Sequence, residues 1–164
     1  MKRLIFLLGI LVVILKTDLY AQDISLKVEA EEKSIASLDF GSLRLTNSDG
    51  TPLDNSSPRF IRLSITNRTR RRYKVSQRLS GPILNERNSE IEMYNLAFLA
   101  FGAKTGILPI QQLTPISQEE QIIFISDKSG EDESFQIQYH LMAPANTTAG
   151  LYRSNIIYRV SITD

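Results

Sequence analysis

The chain contains no cysteine and no tryptophan, and it has a single histidine. Without cysteine, thiol catalysis, cysteine-ligated zinc and thioether-linked haem are excluded. A Ser-His-Asp arrangement would depend on His140, and no Gly-x-Ser-x-Gly elbow accompanies it. The sequence also lacks a Gly-rich phosphate loop and a histidine pair at zinc spacing. We therefore expect no catalytic residue, metal or cofactor. A carboxylate pair for glycoside hydrolysis depends on three-dimensional spacing and stays open.

What the chain does have is an N-terminal export signal. Two basic residues follow Met1, and the twelve residues 4–15 are all apolar or glycine before the polar segment 16–18 and the small residue Ala21. This order predicts a signal peptide over residues 1–21, cleaved after Ala21. The apolar run is shorter than the ~20 residues that span a bilayer, so a retained anchor is the less favoured alternative. We expect a periplasmic, extracellular or cell-surface protein of bacterial type.

Removal of the signal changes the charge balance. The full chain has 19 basic and 18 acidic residues, and the signal holds three of the former and one of the latter, which leaves 16 against 17. This near-neutral balance gives no argument for a nucleic-acid partner. Residues 22–164 are long enough to bury a core without disulfides, and we expect them to form one domain.

Hydrophobicity in residues 22–164 alternates with a period of two, which is typical of half-buried strands. Turn residues such as Ser80-Gly81-Pro82 and Ser129-Gly130 separate the alternating segments. The pattern predicts an all-β fold, a sandwich or barrel, and we expect about eight antiparallel strands in two packed sheets. The alternating apolar sets are Ile24, Leu26, Val28; Ile61, Leu63, Ile65; Tyr73, Val75, Leu79; Phe135, Ile137, Tyr139, Leu141; and Tyr152, Ile156, Tyr158, Val160, Ile162.

The last predicted hairpin contains a structural corner at Gly150 and Tyr152. A tyrosine just after such a turn can bond its hydroxyl to the loop backbone while its ring packs inward. The segment 144–158, together with the strands around residues 64–75, resembles bacterial exported immunoglobulin-like sandwiches, including fimbrial and spore-coat-type subunits. The chain departs from the common pilus pattern by lacking its paired cysteines. The resemblance implies a β-sandwich that is exported and works through contact with other subunits.

The most unusual local feature is a run of arginines at a predicted hairpin tip: Arg68, Arg70, Arg71 and Arg72. Guanidinium groups bind carboxylates and phosphates in bidentate fashion, so the run is a candidate site for an anionic glycan, a lipid headgroup or the acidic loop of a neighbouring subunit. The alternative is a solvated loop that protects a sheet edge. Four acids in residues 127–133 are either a solvated loop or a calcium-binding loop, the latter less favoured.

The first strand after the signal also has two interpretations. Ile24, Leu26 and Val28 form an alternating apolar arm that is either the first strand of its own sandwich or a donor strand for another subunit. We therefore expect a structural or assembly subunit of the envelope or surface, with other subunits or envelope components as partners. The alternative function is a module that binds an anionic glycan or lipid through the arginine hairpin.

Overall fold

The computed structural model describes residues 9–13, 23–30, 37–40, 58–142 and 146–163. Within them the chain forms twelve strands and one short 3-10 turn, Met93–Asn95. The strands are β1 (Gly9–Val13), β2 (Ile24–Ala30), β3 (Ser37–Asp39), β4 (Arg59–Asn67), β5 (Tyr73–Leu79), β6 (Ile83–Leu84), β7 (Glu90–Ile91), β8 (Leu96–Phe101), β9 (Thr114–Pro115), β10 (Gln121–Ile125), β11 (Glu133–Leu141) and β12 (Arg153–Ile162).

Two sheets form a β-sandwich, which confirms the predicted all-β fold. Sheet A follows the order β10-β5-β12-β1-β3, with β6 beside β12 and β7 beside β6. Sheet B follows the order β2-β4-β11-β8-β9. Eight of the strands have five or more residues, but one of these is β1, which lies inside the predicted signal peptide. The predicted cleavage point after Ala21 lies outside the described residues.

The core forms where the alternating residues of the two sheets meet. The inward positions of β4, β5 and β11 are buried, as the period of two predicts. Those of β12 are buried as far as Tyr158 and partly buried beyond it, at Val160 and Ile162. The apolar run of β10 departs from simple alternation because the pairing with β5 shifts between Ile122 and Phe124. This β-bulge lets Ile123 and Phe124 both face the core although they are consecutive. β10 is the outermost strand of sheet A, and only its end is bridged, by Ile107.

A polar cluster links the two sheets inside this core. The Tyr139 hydroxyl of sheet B donates to Gln77 Oε1 and bonds the Tyr158 hydroxyl, both in sheet A. Burial raises the pKa of both phenols above their usual value. Among the described residues, Gln77 Nε2 has no hydrogen-bond partner. Buried hydroxyls normally require hydrogen-bond partners, and the Tyr139 hydroxyl finds its partners on the opposite sheet. The cluster therefore fixes the position of β11 relative to β5 and β12.

Candidate functional site

The β4–β5 hairpin carries the four predicted arginines, and all of them are exposed. Buried Asn67 organises the turn: its Nδ2 donates to the carbonyls of Arg71 and Gly130, at 2.8 Å in each case. Its Oδ1 accepts from the backbone and hydroxyl of Thr69. Arg70 takes the left-handed conformation with φ of 54°. The turn is therefore held by side-chain bonds that a simple solvated loop would not need.

The acidic loop, residues 127–133, packs directly against this hairpin. Asp132 Oδ1 accepts from the Asn67 N–H at 2.8 Å, and Glu131 Oε1 lies 3.8 Å from Arg70 Nη1. Asp127 accepts from Ser129, whose hydroxyl is the main cause of the lowered pKa of that carboxyl. The basic and acidic segments are thus neighbours within one chain, and most of the acids bond to backbone amides.

Glu133 is the buried member of the acidic loop. Its carboxylate accepts from the N–H groups of Lys104, Thr105 and Ser134 and from the Thr105 hydroxyl, at 2.7–3.1 Å. Burial alone would raise the pKa of Glu133, but these hydrogen bonds outweigh it and the pKa is lowered. Glu133 therefore joins the start of β11 to the loop after β8. The sequence predicted either a solvated loop or a calcium-binding loop. A buried carboxylate that joins two segments by hydrogen bonds, here called the brace, corresponds to neither.

The remaining candidates have structural positions. His140 lies on the outer face of β11 beside the amide of Gln138. Tyr152 is buried, and its hydroxyl donates to the Thr148 carbonyl at 2.8 Å, which confirms the predicted tyrosine corner. A Cβ on Gly150 would lie 2.6 Å from Asn85 Nδ2, so the corner needs glycine at this close approach. Among the described residues, no group of three or more acids and histidines is arranged to hold a metal ion.

The predicted arm is the outer strand of sheet B. β2 pairs with β4 over its whole length, from Ile24 opposite Asn67 to Ala30 opposite Ile61. Ile24, Leu26 and Val28 pack against the core. The structure therefore places the arm as the first strand of its own sandwich, which is one of the two predicted interpretations. Its use as a donor strand stays a prediction.

A second candidate site is the space that β1 fills between β12 and β3, here called the strand slot. β1 runs parallel to β12 from Gly9 opposite Arg153 to Val13 opposite Ile157, and antiparallel to β3. β12 and β3 are therefore two strand spacings apart, about 9.5 Å, too far to pair directly. β3 is followed by Phe40, which is 4% exposed and belongs to the core.

Sequence reasoning missed the strand slot because an unbroken apolar run has no alternation. Such a run is equally compatible with an export signal and with a strand covered on both faces. Flanking basic residues and the small residue Ala21 favour the signal. The only hint of a strand would have been a missing partner for β12, which local sequence does not show.

No protein-family model matches the chain, and a search of curated proteins finds no match. Among solved structures, a family 123 glycoside hydrolase from Clostridium perfringens is similar over 66% of this chain, with 15% identity and a TM-score of 0.39. The match spans 19% of that enzyme's length. No described helix has both the length and the apolar character that a bilayer crossing requires.

Proposed function

We propose that the protein is a non-enzymatic, exported subunit of a bacterial envelope or surface assembly, joined to a neighbour by a strand added at the strand slot. The observation that carries this proposal is the position of β1. The segment that completes sheet A is part of the segment that the sequence marks for removal. Export with cleavage after Ala21 would therefore vacate one strand inside a sheet.

A vacated slot would leave two strands without a partner on one side. The β12 backbone from Arg153 to Ile157 would lose its parallel neighbour, and β3 would lose the pairing that the described residues show for it. Unpaired backbone groups at a sheet edge are a template for another chain. An incoming strand can restore the whole ladder, which gives affinity without a side-chain pocket.

The buried residues of β12 also limit which strands can bind in the slot. Ser154 and Ile156 are buried members of β12, and β1 positions 10 and 12 lie in register with them. An incoming strand needs apolar residues at these two inward positions. The arm of a second copy offers Ile24, Leu26 and Val28 at the same alternate spacing, although using it would break its seven-residue pairing with β4.

Two forms of the chain test the proposal. One is the processed form beginning at Gln22, and the other is the full-length chain with the signal retained. We expect the full-length form to be monomeric because β1 fills the slot. The processed form should assemble or bind a lysine-flanked peptide of sequence GILVV, measured by light scattering after sizing chromatography. The control peptide GIPVV removes a backbone N–H, and we expect it not to bind.

A further deletion of residues 22–34 identifies the donor. Loss of assembly in this variant, with peptide binding retained, assigns the donor strand to the arm. Assembly that persists assigns it to another segment or protein. A processed form that stays monomeric at high concentration and ignores the peptide contradicts the proposal.

A further inference from the structure

The outer face of sheet A carries a line of basic side chains, of which the sequence pattern pointed only to Arg72. Residues of even number on β5 have the parity opposite to Tyr73, Val75 and Leu79, which are buried in the core. Of this outer set, Lys74 and Arg78 are half-buried and Ser76 is buried. Arg72, just before the strand, has the same parity as Lys74 and Arg78. On the neighbouring strand, exposed Arg159 is in register with Ser76. Arg72, Lys74, Arg78 and Arg159 are here called the basic strip.

The strip has a linear shape. Arg78 lies six positions after Arg72, which corresponds to about 20 Å in extended backbone. Arg159 lies level with the middle of this line, one strand spacing away. Among the described residues, no carboxylate forms an ion pair with Lys74 or Arg78. Lys74 and Arg78 are therefore available to an external anion. Arg159 already lies near Glu120, as Arg70 of the hairpin lies near Glu131. The Arg72 Nε donates to the Ser126 carbonyl, at 3.3 Å.

A carboxylate of the chain already lies on this face. Glu120 Oε1 accepts from the Ser76 hydroxyl and is 4.0 Å from Arg159 Nη1. The strip thus shows, within the molecule, the carboxylate recognition that an external ligand would use: a guanidinium group beside a hydroxyl donor. Glu120 also occupies part of the strip and would repel an incoming anion.

We propose that the basic strip binds a linear anionic polysaccharide through its carboxylate or sulfate groups. This inference is independent of the strand slot. Binders of anionic membranes add apolar anchors to their basic residues. The register places two large exposed apolar side chains on this face among the described residues, Ile122 at 37% and Ile107 at 58% exposure. A membrane is therefore a separate arm of the test. Single-stranded nucleic acid would need stacking aromatics, and the tyrosines of β5 and β12 point into the core.

The test uses the exported protein as its host processes it, applied to immobilised polygalacturonate and dextran sulfate. Uncharged dextran and phosphatidylglycerol vesicles are the comparison surfaces. We expect retention on one or both polyanions at about 50 mM salt and release at about 0.5 M, because exposed charge contacts are screened. The triple variant Lys74→Gln, Arg78→Gln, Arg159→Gln should bind at least about tenfold more weakly.

Two matched variants distinguish an effect of the basic strip on binding from an effect of net charge and from an effect of unfolding. The triple variant Arg68→Gln, Arg70→Gln, Arg71→Gln removes the same charge from the hairpin tip, and we expect its affinity to stay within about threefold of wild type. Glu120→Gln should bind two- to threefold more tightly, roughly, which an unfolded protein cannot do. Wild type that is not retained, equal losses in both triple variants, or binding to vesicles alone would overturn the proposal.

Discussion

The hairpin end of the sandwich and the strand slot satisfy their backbone groups in opposite ways. At the hairpin end, Asn67, Asp132 and Glu133 supply acceptors and donors from within the chain. At the strand slot, β12 and β3 depend on β1, the segment predicted to be removed on export. The hairpin end of the molecule is therefore complete in itself, whereas sheet A is continuous only when a strand lies between β12 and β3.

The substitution that should lower the free energy of unfolding most is at Glu133, in the hairpin end. Glu133→Ala leaves three N–H groups and one hydroxyl without their acceptor, so we expect a loss of about 3 kcal/mol in the free energy of unfolding. Urea denaturation measures it. The pKa of Glu133 is lowered in the folded state, so its contribution is present above pH ~4.5 and is lost as the pH falls below that value.

Exposed Glu131 is the matched control for this variant. Glu131→Ala removes a carboxylate from the same loop, and we expect a change below about 0.5 kcal/mol. Equal effects of the two substitutions would show that the brace is not what holds this end together. Peptide uptake at the strand slot should be unchanged in both variants.

An intermediate effect is expected at Tyr139, which joins sheet B to the strand that borders the slot. Tyr139→Phe leaves Gln77 Oε1 and the Tyr158 hydroxyl without this partner, at a cost of about 1–2 kcal/mol. The raised pKa of both phenols means that the stability they contribute is complete below pH ~10 and is lost as the pH rises above it. Urea midpoints at pH 8 and above pH 10 measure both effects.

The control for Tyr139→Phe is Tyr94→Phe, at a side chain that is 62% exposed. We expect no measurable change in stability there at pH 8. If Tyr139→Phe is equally neutral, the hydroxyl cluster does not hold the sheets together, and the slot edge is independent of sheet B.

The substitution that should lower the free energy of unfolding least is at Arg70, at the hairpin tip. Arg70 and Glu131 are both mostly exposed and 3.8 Å apart, so Arg70→Ser should cost less than about 0.5 kcal/mol. Thermal unfolding at low and high salt measures the difference. A cost above 1 kcal/mol would mean that ion pairing, and not the buried acceptors, completes this end.

Much of the fold follows from local alternation. The inward parity of β4, β5, β11 and β12 is confirmed because half-buried antiparallel strands must separate apolar from polar residues. The tyrosine corner at Tyr152 is confirmed for a similar reason, since turn chemistry and a following strand are both local signals.

The candidate site was harder to predict because it depends on contacts between distant segments. Glu133 and Thr105 are 28 positions apart, and nothing in the local sequence marks that carboxylate as buried. Lys74, Arg78 and Arg159 were not predicted as a site because each stands singly in its strand. The arginines of the hairpin, in contrast, lie almost next to one another in the sequence. β1 was missed because composition alone does not distinguish a removable apolar segment from a strand.

The buried tyrosine pair gives the molecule an optical reporter. The chain has six tyrosines and no tryptophan, so tyrosine dominates its near-ultraviolet absorption and emission. Tyr158 follows Ile157, the last β12 residue paired with β1, and its hydroxyl meets that of Tyr139 across the sandwich. Binding of a strand beside β12 should therefore change the near-ultraviolet circular dichroism of the protein. Binding at the strand slot can then be measured spectroscopically without a label.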